Sequence, residues 1–176
     1  MLLDRLFRPR PAQAMARALY ARVVEQARQP QLYQDLGCPD TTEGRFELYT
    51  LHLVLLLERL RGEGERAAET SQALFDTYIS ALDHALREMG VGDLSVGKKM
   101  RKLGEAFYGR GKSYDAALAA LPDRHPLIDL LARTVYDGAD PAQAPALASY
   151  LLGLRTALAA QDAARLLAGD VRWAAA

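Results

Sequence analysis

Apolar residues recur along the chain at spacings of three and four, and no segment sustains the period-two alternation with β-branched enrichment that marks a strand. The pattern predicts an all-α fold, a single compact multi-helix domain of about six to eight helices. A first helix is expected from Ala12 to Arg28, broken at Gln29-Pro30, with a short turn holding Leu32, Tyr33 and Leu36 before Gly37. Asp40 is the expected N-cap of the next helix, with Glu43 three positions on completing a capping box. From Phe46 through Leu57 that helix has almost no polar face, the pattern of a central, buried helix.

Residues 66–89 predict a long amphipathic helix whose stripe is Leu74, Tyr78, Leu82, Leu86 and Met89, ended by Gly90 in a left-handed cap. Ser95 is the expected N-cap of the following helix. Val96, Met100, Leu103 and Phe107 form its apolar stripe, and Lys98, Lys99, Arg101 and Lys102 its basic side. Gly104, Gly109 and Gly111 suggest close helix approach or a break near residue 110, because each weakens a helix interior by about 1 kcal/mol relative to Ala. Tyr114, Ala117, Leu118 and Leu121 continue the apolar phase. Three further helical stretches follow: Leu127 to Tyr136, a segment opened by Asp140-Pro141 and running to Ala160, and a turn from Asp162 to Leu167 ended by Gly169. Residues 1–11 form a basic N-terminal segment, read as the frayed start of a helix, and residues 12–176 a single helical domain.

Charge narrows the function classes. Lysine plus arginine and aspartate plus glutamate both number 22, so the net charge is zero, which argues against a general DNA- or RNA-binding protein. The balance is uneven: residues 85–112 carry seven basic and three acidic residues, whereas residues 41–84 carry four basic and eight acidic. A lone cysteine, Cys38, allows no internal disulfide and fits a reducing compartment. The apolar run Leu51 to Leu57 is too short to span a bilayer, which takes about 20 residues. The expectation is a soluble or at most peripheral protein.

Catalytic templates are not matched: the sequence has no Gly-rich phosphate loop, no serine elbow and no His-Glu-x-x-His. His52, His84 and His125 are scattered, and His84 with Glu88 supplies two ligands, short of a metal site. Cys38-Pro39 is read as a loop, although Cys-Pro pairs sometimes hold haem. No catalytic residue, metal or cofactor is assigned. An enzyme would need Asp93, His52 and Arg87 in one cleft.

Two stretches place charges beside glycines at helix ends: Asp40-Thr41-Thr42-Glu43-Gly44-Arg45-Phe46-Glu47, and Leu86-Arg87-Glu88-Met89-Gly90-Val91-Gly92-Asp93 followed by Ser95-Val96-Gly97-Lys98-Lys99. With Ala27-Arg28-Gln29-Pro30, Tyr33, Leu51-His52, Phe107-Tyr108-Gly109-Arg110 and Tyr114, they make the sequence resemble the ubiquinol–cytochrome c chaperone family over roughly residues 20–170. The resemblance implies an assembly chaperone for the cytochrome bc1 complex that binds newly made cytochrome b before haem insertion and subunit joining, and not an enzyme. Composition and the short N-terminus look like a bacterial member, cytoplasmic and peripheral at the inner membrane face. The residues assigned to the client-binding surface are Arg45, Glu47, His52, Arg87, Glu88, Asp93, Lys98 and Tyr108. A basic docking surface is assigned to Lys98, Lys99, Arg101, Lys102 and Arg110. The alternative reading is a ribosome- or membrane-surface-associated module using residues 98–112, with a small enzyme third.

Overall fold

A computed structural model describes residues 11–173. The basic segment expected at residues 1–11 lies, apart from Pro11, outside the described residues. Everything regular in the described chain is helical. Helix α1 (Pro11–Ala27) buries Ala16, Leu19, Val23 and Ala27, spaced three and four apart on one face. A single turn, α2 (Pro30–Gln34), buries Leu32 and leads to Gly37, whose φ of 61° belongs to the left-handed region.

Helix α3 (Thr42–Leu60) is the centre of the molecule. It buries Leu48, Leu51, Leu53, Val54, Leu55, Leu56 and Leu60, so apolar side chains leave it in nearly every direction. It touches α1, α4, α5 and α7. Its N-cap is Thr41, one residue after the expected Asp40: the Thr41 hydroxyl accepts from the Gly44 amide at 3.0 Å. Asp40 turns outward to Arg45 instead (2.6 Å), and no capping box forms with Glu43.

Helix α4 (Glu65–Glu88) presents Ala67, Thr70, Leu74, Tyr78 and Leu86 to the core. Gly90, at φ 80°, closes it as expected: the Gly90 amide donates to Arg87 O (2.9 Å) and the Val91 amide to Leu86 O (3.0 Å). Met89 leaves the stripe and faces solvent, because the chain has already turned out of the helix there.

Helix α5 (Asp93–Ala119) starts two residues before Ser95 and runs unbroken past the glycines. A Cβ added at Gly104, Gly109 or Gly111 would meet nothing within 4 Å, so these glycines mark neither a break nor a close approach but an open flank. Val96, Phe107, Tyr114, Ala117 and Leu118 face inward. Helix α6 (His125–Thr134) pairs with α7 (Ala144–Ala159), which follows a short 3-10 turn capped by Asp140. The last turn, α8 (Ala163–Leu166), is capped by Asp162, and the tail folds back so that Val171 is buried and the Trp173 indole donates to Arg22 O at 3.1 Å.

Among the glycines of the first half, Gly44 is the one that packing demands. A Cβ there would lie 2.1 Å from the Pro39 carbonyl oxygen, a backbone atom that cannot move away without shifting the start of α3. Gly44→Ala is therefore expected to lower unfolding free energy by at least about 2 kcal/mol, the range of overpacking. Gly104→Ala, in open space, is expected to raise it by up to about 1 kcal/mol through helix propensity. Urea unfolding of the two variants tests the pair; equal stability would mean that the Pro39–Gly44 approach does not exist in solution.

Candidate functional site

All but one of the residues singled out in the sequence fall into two groups. Glu47 and His52 lie inside. Glu47, on the inward side of α3, forms a two-pronged ion pair with Arg110 of α5: Nη2 to Oε1 is 2.8 Å and Nε to Oε2 is 2.9 Å. The carboxylate is nearly buried and Arg110 half-buried, so Arg110 is committed to the interior and does not belong to the outer basic surface. The Tyr114 side chain is fully buried beside them.

His52 is fully buried. Its Nδ1 donates to Leu48 O (2.7 Å), which leaves Nε2 to accept from the Tyr150 hydroxyl (2.8 Å), itself receiving the Gln26 amide (2.9 Å). The Trp173 ring packs edge-on against the imidazole, centroids 5.5 Å apart. Desolvation pulls the His52 pKa down to about 4, so the ring is neutral at physiological pH. Cys38 is also interior: burial pushes its thiol up to about 11 and its sulfur lies 3.9 Å from the Tyr136 hydroxyl.

The second group lies outside, on the hairpin of α4 and α5. Arg87 bridges two acids, Asp83 one turn back (2.6 Å) and Asp93 at the start of α5. Glu88 is exposed next to it. Met89, Leu94 and Tyr108, the large exposed apolar side chains of the described residues, all sit on this hairpin, with exposures of 54%, 102% and 62%. Tyr108 is the surface end of an aromatic cluster: it contacts Phe75 (5.5 Å) and Phe107 (6.0 Å), and Phe107 contacts Tyr78 (5.5 Å) deeper in. Helical spacing puts Gly104 and Gly111 beside the Tyr108 ring, where they leave the flank of α5 bare.

Leu94, Lys98, Arg101, Lys102, Tyr108 and Lys112 share about a third of the circumference of α5 at 3.6 residues per turn. That spacing was the signal available in the sequence for finding Leu94 beside the cations. Every lysine of the chain (Lys98, Lys99, Lys102 and Lys112) is on this helix, exposed, and in no ion pair among the described residues. Arg45 stands apart at the start of α3, held by Asp40.

The cleft that an enzyme reading needs is not formed. His52 is in the core, whereas Arg87 and Asp93 pair with each other at the surface. Two surface depressions, of about 480 and 500 Å³, are lined by other residues, among them His84 in the first and His125 in the second. His84 turns Nδ1 to Ser80 O (2.7 Å).

Fold and surface together define an all-helical protein with a buried core and, among the described residues, an exposed apolar and basic face on the hairpin of α4 and α5. The family model described as ubiquinol-cytochrome C chaperone matches residues 34–173, and the chain belongs to that family. The crystal structure of the Cbp3 homolog from Brucella abortus is similar across 99% of this chain and 97% of that one, with a TM-score of 0.85 and 35% identity. The mouse ubiquinol-cytochrome c reductase complex assembly factor 1 is 27% identical over 158 residues, 88% of this chain and 53% of that protein. The chain thus spans about half the length of the curated relative it matches.

Two predictions follow from the interior pairs. Arg110→Met strands the Glu47 carboxylate and is expected to cost about 2–4 kcal/mol, a little under a fully buried pair because Arg110 keeps some solvent. Glu47→Leu with Arg110→Met should recover most of that loss in urea unfolding. For His52, the folded pKa lies below the unfolded one, so between pH 6.5 and about 4 the unfolded chain binds a proton that the folded chain refuses. The stability tied to neutral His52 is complete above pH 6.5 and falls by about 1.4 kcal/mol per pH unit as pH drops through that window. His52→Gln should remove this part of the acid slope, read from urea midpoints measured down the pH range.

Proposed function

We propose that this protein is an assembly chaperone for the cytochrome bc1 complex that holds newly made cytochrome b before haem insertion and subunit joining. It works in the cytoplasm at the inner membrane face. The observation that carries the reading is the likeness, over nearly the whole chain, to the solved Cbp3 homolog, together with membership of the ubiquinol–cytochrome c chaperone family. The mouse relative, an assembly factor of the ubiquinol-cytochrome c reductase complex by name, points the same way.

The surface suits the task. A client of this kind carries apolar segments that aggregate in water, and a holder must bury them without unfolding itself. Tyr108 offers an aromatic ring braced from below by Phe75 and Phe107, beside the bare flank at Gly104 and Gly111. A braced aromatic loses little side-chain entropy on binding, which is why such residues anchor interfaces. Arg87, Glu88, Asp93 and Lys98 form the charged rim of this face, with Arg45 as a separate contact. Glu47 and His52 act beneath it: Glu47 fixes Arg110 and thereby the position of α5 on α3, and His52 fixes α7.

Deleting the gene is expected to lower assembled bc1 complex several-fold at unchanged cytochrome b transcript. A photo-crosslinker at position 108 should capture unassembled cytochrome b, whereas one at Thr156, exposed on α7, should not. Normal bc1 content in the deletion strain would remove the reading.

A further inference from the structure

The hairpin end of α4 and α5 joins charged residues of the client rim, Lys98 among them, to two exposed aliphatic side chains that the client reading leaves unused. Met89 and Leu94 flank the turn, and Leu94 is as exposed as an isolated residue. Nothing among the described residues crowds the turn: a Cβ added at Gly90, Gly92 or Gly97 would meet no atom within 4 Å. Two aliphatic side chains on a convex, freestanding turn offer no concave site for a protein segment.

Cations surround them. Lys98, Lys99, Arg101 and Lys102 lie within the first turns of α5 after Leu94. Asp93, the acid closest to Leu94, is bound by Arg87, and Arg101 reaches Glu105 only at 3.8 Å. Glu88 is the remaining acid of the turn. The choice of cation is informative. Elsewhere the chain uses arginine for directed, two-pronged bonds, as in Arg110–Glu47 and Arg155–Glu58. Lysine, a hydrated point charge on a flexible stem, suits a diffuse anionic surface that asks for no fixed geometry.

We propose that this hairpin end docks the protein on an anionic lipid bilayer, with Met89 and Leu94 inserted at the headgroup boundary and Lys98, Lys99, Arg101 and Lys102 on lipid phosphates. Apolar tip plus basic collar is the combination by which peripheral proteins bind, each contribution alone being marginal. The inference rests on the reading that the protein works at the membrane face, and it says how the protein gets there. Tyr108 lies 14 residues further along α5 than Leu94, about 21 Å at 1.5 Å per residue, so the aromatic anchor of the client face stays clear of the bilayer while Lys98 is shared between the two.

The test uses the full chain and vesicles of phosphatidylcholine with or without phosphatidylglycerol. Co-sedimentation is expected with the anionic vesicles alone, weakening as salt is raised. Leu94→Asp and the double variant Lys98→Glu/Lys99→Glu should each reduce it at least about tenfold at unchanged helicity and melting temperature. A Leu94→Cys variant carrying an environment-sensitive dye should shift its emission to the blue on anionic vesicles, which surface adsorption by charge alone would not produce. No binding to anionic vesicles at low salt overturns the proposal, as does binding that Leu94→Asp leaves unchanged. Ribosome co-sedimentation that the lysine variant abolishes, without vesicle binding, would assign the cations to RNA and overturn it too. These outcomes leave the chaperone reading intact, because bc1 content in the deletion strain tests that separately.

Discussion

Burying α3 on all sides obliges its few polar side chains to find partners on the helices around it, since an unpaired buried polar group costs about 1–3 kcal/mol and a charge more. The three most deeply buried do so on different neighbours. Thr50 meets Tyr78 of α4 at 2.9 Å, Glu47 meets Arg110 of α5, and His52 meets Tyr150 of α7, which also receives Gln26 of α1. Near the far end, Glu58 holds Arg155 of α7. The apolar surface of α3 draws the other helices in without regard to register. These polar contacts are directional, and they set which turn of each helix faces which turn of α3.

The same constraint explains how a chain of zero net charge shows a basic face. Several carboxylates are drawn to arginines at fixed points: Asp40 to Arg45, Glu63 to Arg59, Asp83 and Asp93 to Arg87, Asp115 to Arg61 and Asp170 to Arg165. Most of these pairs are exposed and each adds little stability. Their effect on the surface is larger than on the fold, because they neutralise it locally. The lysines of α5 remain unpaired among the described residues and stand close together, so one helix carries a run of positive charge although the sum of charges is nil.

Much of the fold was legible from periodicity. The helical class, the central place of the Phe46–Leu57 segment and the stop at Gly90 all depend on local pattern, which the sequence displays directly. The errors are of two physical kinds. The first concerns helix starts, where competing caps lie within two residues: Thr41 displaces Asp40 because Asp40 finds Arg45, and α5 begins at Asp93 without a side-chain cap, ahead of Ser95. The second concerns partners far apart in sequence. Glu47 and Arg110 are 63 positions apart and His52 and Tyr150 are 98, so neither pair has a local signature, and charged or titratable residues at those positions read as surface. The glycines of α5 misled for a related reason: a sequence shows that a side chain is missing but not whether a neighbour fills the space.

Exposed apolar residues are the remaining part of the pattern, and their position decides what they mean. Single exposed leucines or methionines are common and neutral. Met89, Leu94 and Tyr108 differ because they are gathered on one hairpin while the rest of the described surface has none of comparable size. The hairpin needs none of them for its own stability: Gly90 supplies the turn, Arg87 holds the start of α5 through Asp93, and Phe107 and Val96 supply the packing. Exposed apolar area of this sort favours association with anything apolar that comes near, a liability that neighbouring like charges reduce for copies of the same chain. Lys98, Lys99, Lys102 and Lys112 stand where they repel a second copy and attract an anionic surface. The face thereby combines exposed apolar area with unpaired positive charge, a combination that on physical grounds favours an apolar, anionic occupant over a second copy of the same chain.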